Sequence, residues 1–188
     1  MAGSEKIVEQ QSAKKSHRIF SIADVLVDRE LVTIPATKPN RQFSMSVTRI
    51  AMEGALKKRS VPLLRSHGFK GSFPNFYRDI DGFVSLINFQ FYSAGGSLCV
   101  NISFADKLRE NIYFRPETEP KRLSVSQGRI RARLSNGNLG SDQWFSFGLT
   151  SYDEYRGTPT EPDEIAQEIN QLIQSFALGW WDQHARGE

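Results

Sequence analysis

The stretch from Phe83 to Phe104 constrains the fold most, because apolar side chains recur at every second position along most of it. A period of two residues is typical of strands whose two faces meet different surroundings. Ala94-Gly95-Gly96 interrupts the pattern with residues that favour a turn, and Asp81-Gly82 in front of it is a strong hairpin signal. The pattern therefore predicts three consecutive antiparallel strands that form a meander.

Two helices flank the predicted meander. The spacing of apolar residues predicts a helix over about residues 46–67, which ends at Gly68. Pro62 lies inside this segment, so either the helix kinks or two helices meet there. A second helix is predicted over residues 163–181, where Pro162 precedes an acidic first turn.

The order of these elements predicts the fold class. A helix, the meander, a further strand within residues 143–150 and a final helix are typical of an α+β fold. We expect an antiparallel meander sheet of four or more strands, packed against an N-terminal-side helix and a C-terminal helix. Residues 1–45 begin polar and end in a proline-containing segment, which predicts a partly mobile extension in front of a single domain, residues 46–188.

The residue composition excludes several kinds of site. The single cysteine, Cys99, rules out an intramolecular disulfide and a metal site with several cysteines, and the three histidines are scattered. The chain contains no H-E-x-x-H motif, no G-x-S-x-G motif and no phosphate-binding glycine loop followed by lysine. The sequence therefore predicts no catalytic residue, no cofactor and no metal.

The hydropathy of the chain predicts no secretion signal and no membrane insertion. Residues 1–15 are polar, whereas a signal peptide needs an apolar run of about 7–15 residues. No stretch approaches the roughly 20 apolar residues of a membrane span. We therefore expect a cytoplasmic protein without a membrane partner.

Amide side chains interrupt one face of the predicted sheet. Asn88 and Gln90 share a face because they are two residues apart on a strand, and Asn101 is expected to lie across from them. Amides among apolar strand residues fit a small-ligand site, an exposed sheet face or a satisfied polar network. Asn88, Gln90 and Asn101 are therefore candidate ligand-binding residues, with the structural interpretations still open.

Arginines form a second candidate site. On a strand, Arg131 and Arg133 would project to one side, and Asp142 offers a carboxylate for a bidentate pair with one of them. Together with Arg78, these residues are candidates either for binding an acidic partner or for a salt bridge that holds a loop. Trp181 is a candidate partner anchor or a core residue.

Basic residues cluster along the chain, although its net charge is only +3. Lys57, Lys58 and Arg59 are consecutive on the first predicted helix, and residues 121–133 contain five basic residues and no acidic one. Such clusters fit phosphate contacts with a nucleic acid. They equally fit docking of the protein's own acidic segment, residues 153–168.

A set of short motifs occurs in a fixed order along most of the chain. The motifs are Gly68-Phe69, Phe76-Tyr77-Arg78, Ile87-Asn88-Phe89-Gln90, Val100-Asn101-Ile102, Arg131-Ala132-Arg133-Leu134 and Asp142-Gln143-Trp144-Phe145. Over about residues 56–181 this set resembles bacterial domain-of-unknown-function family 4304, although Phe145 replaces the second tryptophan of the last motif. The resemblance implies the fold class and a bacterial origin, and it supplies no catalytic residue.

One functional hypothesis and two alternatives follow. We expect a non-enzymatic module that binds another protein; the resemblance adds the role of an immunity or accessory protein in a bacterial competition or defence system. The first alternative is a nucleic-acid-associated module that uses the basic clusters. The second is a small-ligand binder or enzyme that uses the face of Asn88, Gln90 and Asn101. The oligomeric state is not predicted.

Overall fold

A six-stranded antiparallel sheet organises the described part of the chain. The structure is a computed structural model that describes residues 41–109, 112–135 and 143–187, with side chains from Thr48 onward. The strands are β1 (Lys70–Ser72), β2 (Asn75–Ile80), β3 (Phe83–Phe91), β4 (Ser97–Asp106), β5 (Arg131–Arg133) and β6 (Phe145–Ser146). The helices are α1 (Arg41–Ser66), α2 (Pro162–Leu172) and α3 (Leu178–Ala185), and a π-helical segment, Ile173–Ala177, joins the last two.

The sheet confirms the α+β fold class predicted from the sequence. Its strands follow the order β1-β2-β3-β4-β5, and all neighbouring pairs are antiparallel. The predicted meander corresponds to β2, β3 and β4. The short strand β1 was not predicted; the chain reverses at Phe73-Pro74 and pairs Ser72 with Asn75.

The outer edge of β4 is shared by two short strands. β6 pairs with Ser97 and Leu98, while β5 pairs with residues 101–103. The predicted strand within residues 143–150 is reduced to the two residues of β6. After β6, the backbone N–H groups of Phe147 and Gly148 both donate to the Gly96 carbonyl, so the one-to-one pairing of a strand ladder is lost.

The main core lies between the helices and one face of the sheet. Trp181 on α3 is fully buried, and its indole Nε1 donates to the Ser103 carbonyl of β4 at 2.7 Å. The ring of Phe69 packs 5.1 Å from the Trp181 ring. The sheet contributes Phe76, Ile87, Phe89, Leu98, Val100, Ile102 and Phe104 to this core. The alternation of apolar residues in β3 and β4 thus corresponds to one buried face.

The other face of the sheet is covered over one half only. Val84, Leu86, Ala105 and Leu123 form a small buried cluster there, because residues 112–127 fold across this half. The remaining half presents polar side chains, and the candidate site lies on it.

Helix α1 begins earlier than predicted and is not divided at Pro62. It starts at Arg41, so residues 41–44, which were assigned to the linker, are helical; residues 1–40 of the predicted extension lie outside the described residues. α1 continues through Pro62. The carbonyl of Arg59, three residues before the proline, accepts a hydrogen bond from Asn170 Nδ2 on α2 at 3.2 Å. Pro62 lacks the N–H that would bond the Lys58 carbonyl, so this contact lies one residue after the carbonyl that the proline leaves without its helical donor.

The predicted C-terminal helix contains an irregularity with a packing reason. Its buried residues include Ile165, Ile169, Ile173, Ala177 and Trp181, which are four positions apart. In a regular α-helix, four residues advance by about 400°, so such a row drifts by about 40° per step. The wider π segment at Ile173–Ala177 reduces this drift, so the row stays in the main core.

We expect the substitution Trp181→Phe to lower the free energy of unfolding by about 1–3 kcal/mol, since it removes a buried hydrogen-bond donor and leaves a void. Urea unfolding measures the change. Tyr152→Phe, at a side chain that is 69% exposed, is the control and should stay within about 0.5 kcal/mol of the parent. Equal stability of the two variants would contradict the assignment of Trp181 to the core.

Candidate functional site

A row of polar side chains crosses the sheet on the face away from the helices. Asn75 on β2 pairs with Asn88 on β3, and Asn88 pairs with Asn101 on β4. Asn101 in turn pairs with Arg133 on β5. Directly opposed residues of antiparallel strands point to the same side, so the four side chains stand beside one another. We call Asn75, Asn88, Asn101 and Arg133 the amide row.

Hydrogen bonds follow the amide row in one direction. Arg133 Nε donates to Asn101 Oδ1 at 3.3 Å. Asn101 Nδ2 lies 3.4 Å from Asn88 Oδ1, and Asn88 Nδ2 donates to Asn75 Oδ1 at 2.8 Å. A guanidinium group has donors only, so Arg133 requires the oxygen of Asn101 to face it. This orientation turns each amide nitrogen toward the next residue of the row and away from Arg133.

Gln90 and Cys99 lie beside the amide row. They oppose each other across β3 and β4, and Asn101 Nδ2 donates to Gln90 Oε1 at 2.8 Å. Asn101 is 2% exposed, whereas Gln90 is exposed. The alternation in the sequence therefore predicted correctly that Asn88, Gln90 and Asn101 share one face. Asn101 has a structural partner on each side, while Gln90 also meets solvent.

The thiol of Cys99 lies in an electropositive part of this face. Burial raises the pKa of the Cys99 thiol, and the positive charges of Arg133, Arg156 and Arg131 act in the opposite direction. Because burial is the larger effect, the thiol remains protonated at neutral pH. Cys99 therefore behaves as a small buried side chain beside a group of cations.

An aromatic cluster borders the row next to Arg133. The guanidinium carbons of Arg133 and Arg156 lie 5.2 Å and 4.3 Å from the centre of the Trp144 ring. Tyr92 packs edge-on against Trp144 at 5.3 Å, and Arg156 also lies 4.3 Å from the Tyr92 ring. Each cation–π contact contributes about 0.5–2 kcal/mol. The cluster attaches the segment around Trp144 and Arg156 to the polar half of the sheet.

The structure corrects the grouping of the arginines. Arg78 lies on the helix face, where its guanidinium carbon is 6.0 Å from the Trp181 ring and it forms an ion pair with Asp182 at 3.5 Å. Arg131 and Arg133 lie together on the opposite face, as their spacing on a strand predicted. Arg78 therefore does not join them, because the sheet separates the two groups.

The two other candidates for partner binding also differ from expectation. Trp181 is 0% exposed and bonded to the Ser103 carbonyl, so the prediction of a surface anchor is wrong and the core alternative holds. Asp142, expected to pair with Arg131 or Arg133, lies outside the described residues.

The basic residues of α1 have acidic and aromatic partners within the chain. Lys57 pairs with Glu53 at 3.3 Å and lies over the ring of Phe73. Arg59 forms two hydrogen bonds of 3.0 Å with Asp163 at the start of α2. These bonds raise the pKa of Arg59 and lower the pKa of Asp163. The acidic helix of the protein thus docks on part of the basic cluster, while Lys58 is exposed.

Several residues of this face were missed by sequence reasoning. Asn75 follows from the hairpin at Asp81-Gly82, because pairing Ile80 with Phe83 places Asn75 opposite Asn88. That signal was present in the sequence. Trp144 and Arg156 had no comparable signal, since loops whose path the sequence does not specify bring them to the sheet.

Two kinds of site are absent from the described residues. In the described ranges, no group of three or more His, Cys, Asp or Glu residues is arranged to hold a metal ion. Of the helices in that part of the chain, none is both long enough and apolar enough to cross a membrane.

We expect Asn101→Ala to lower the free energy of unfolding by about 1–3 kcal/mol, because it leaves Arg133 and Gln90 without their buried partner. The comparison variant is Gln90→Ala, which removes only one hydrogen bond of Asn101 at an exposed side chain and should cost less, about 0.5–1 kcal/mol. Urea unfolding of both variants measures the difference. A larger loss for Gln90→Ala than for Asn101→Ala would contradict the hydrogen-bond order of the amide row.

Comparison with known proteins identifies the family. The family described as "Domain of unknown function (DUF4304)" matches residues 60–183. This range contains the whole sheet, the last seven residues of α1 and most of the C-terminal helices. No curated protein and no solved structure matches the chain. The resemblance inferred from the ordered motifs is confirmed: the chain belongs to the DUF4304 family of domains of unknown function.

Proposed function

We propose that the chain is a non-enzymatic module that binds another protein, and that the partner docks on exposed apolar residues in the loop after β4. Leu108 is 80% exposed, Ile112 90% and Tyr113 57%, all within six positions of the chain. We call these three residues the apolar patch. Single exposed apolar residues are ordinary, but large ones close together are typical of interaction surfaces. This concentration is the observation that carries the proposal.

A cavity of about 600 Å³ adjoins the apolar patch. Ile112 and Tyr113 line it together with two arginines, Arg109 and Arg129, and one aspartate, Asp106. Arg109 pairs with Asp106 at 3.1 Å, so the lining carries a net charge of about +1 from two cations and one anion. A complementary partner segment presents an apolar or aromatic side chain to the cavity and an acidic residue beside it.

The sheet edge at β1 is a weaker candidate for docking. Addition of a strand needs unpaired backbone groups along the edge. Arg65 donates to the carbonyls of Phe69 and Gly71, which point outward from β1. A partner strand would have to displace this arginine.

Nucleic-acid binding through α1 is likewise less well supported than protein binding through the apolar patch. Arg59 is paired with Asp163, and Lys57 is paired with Glu53. Phosphate contacts would therefore compete with ion pairs inside the protein, and Lys58 alone is a small electrostatic footprint.

The proposal includes the biological setting expected from the sequence. It places the chain in the cytoplasm of a bacterium, as an immunity or accessory protein of a competition or defence system, and assigns no reaction to it. The resemblance of the ordered motifs to the family supports this setting.

The test compares a patch variant with a matched variant elsewhere. The tagged chain, Ile112→Glu and Ile50→Glu are used for affinity purification from the bacterial host, each with and without nuclease; Ile50 is 67% exposed on α1. We expect a stoichiometric protein partner with the parent chain and with Ile50→Glu. With the purified partner, calorimetry should show binding at least about tenfold weaker for Ile112→Glu, a loss of about 1.4 kcal/mol.

Three outcomes would overturn the proposal. Equal binding by the two glutamate variants would exclude the apolar patch as the docking surface. Recovery of nucleic acid, with proteins lost on nuclease treatment, would favour the basic clusters. A dimer in sedimentation that dissociates on Ile112→Glu would assign the patch to a second copy of this chain.

A further inference from the structure

A second cavity lies at the start of β2, beside Asn75. The β2–β3 turn and the apolar patch are at the opposite end of this strand. The β1–β2 hairpin and the 3-10 turn Pro120–Arg122 border an open cleft of about 490 Å³, a volume within the range of about 300–1,000 Å³ that is common for small-molecule sites. Its lining includes polar groups, Asn75, Lys121 and Arg122, and apolar groups, Phe73, Tyr77 and Leu123.

The amide row determines which atom Asn75 presents to this cavity. Arg133 can only donate hydrogen bonds. In each amide of the row, the oxygen therefore faces the neighbour nearer to Arg133, and the nitrogen points away from Arg133. Asn75 Oδ1 accepts from Asn88, and within the described residues Asn75 Nδ2 has no protein acceptor. Hydrogen bonds in a chain polarise one another, so a chain that begins at a guanidinium strengthens the donor at its end.

Two cations stand on the wall opposite the hairpin. Lys121 and Arg122 line the cavity, and both pair with Glu119 at 3.3 Å. All three side chains are more than half exposed. Exposed ion pairs of this kind contribute only about 0–1 kcal/mol, so an incoming anion displaces Glu119 at little cost.

We propose that this cavity binds a small molecule that carries a phosphate or carboxylate group on an aromatic body. The anionic group accepts hydrogen bonds from Asn75 Nδ2, Lys121 and Arg122. The aromatic body packs against Tyr77 and Leu123. The apolar patch takes no part, so this inference does not depend on the proposed function.

The test uses phenyl phosphate, benzoate and inorganic phosphate as probes at constant ionic strength set by sodium chloride. In ¹H–¹⁵N spectra of the full chain, the side-chain amide signal of Asn75, identified by its loss in Asn75→Asp, should shift and saturate. Saturation with phenyl phosphate assigns a phosphate ligand, and saturation with benzoate alone assigns a carboxylate. Inorganic phosphate should bind at least about tenfold more weakly than phenyl phosphate, because it lacks the aromatic body.

A matched pair of double variants separates a built site from general attraction. Lys121→Gln/Arg122→Gln should weaken probe binding at least about tenfold, as expected for losing two charge-assisted contacts. Lys107→Gln/Arg186→Gln removes the same charge at the far end of the sheet and should leave the affinity within about twofold. Equal weakening by both variants, absence of any saturable shift, or equal affinity for inorganic and phenyl phosphate would overturn the proposal.

Discussion

The ladder between β3 and β4, which runs from Phe83 opposite Asp106 to Phe91 opposite Leu98, is the interaction on which the rest of the structure depends. Side chains alternate along a strand, so a slip of one residue would exchange the buried and polar faces. The same register places Asn88 opposite Asn101 and leaves the Ser103 carbonyl where Trp181 reaches it. The core and the amide row therefore result from one pairing.

The two faces of the sheet differ in how they are covered. One face is buried under the helices, where Trp181 and Phe69 pack, and it stabilises the fold. The other face is covered over half its length by residues 112–127 and is polar over the rest. That covering segment shapes both proposed surfaces, since Ile112 lines the cavity at one end of the sheet and Lys121 the cavity at the other. Both proposed binding surfaces thus depend on the path of residues 112–127.

Features that depend on residues close together in the chain were predicted correctly, whereas features that depend on long-range packing were not. The meander and the shared face of Asn88 and Gln90 were predictable, because a two-residue period and a hairpin turn are local properties. The grouping of Arg78 with Arg131 was wrong, since it requires knowing on which face each strand places its residue. Trp181 carried two interpretations, and only packing against Ser103 decided between them.

By itself, the sequence determined the α+β class, the order of the central strands and the residues that share a strand face, because these follow from short-range periodicity and turn preferences. Only the tertiary structure decided that the acidic helix neutralises Arg59, that the sheet separates Arg78 from Arg133, and that a hydrogen-bond chain ends at Asn75 beside Lys121 and Arg122. These contacts join residues that are far apart in the chain. Their formation depends on the whole core being packed, which no local pattern encodes.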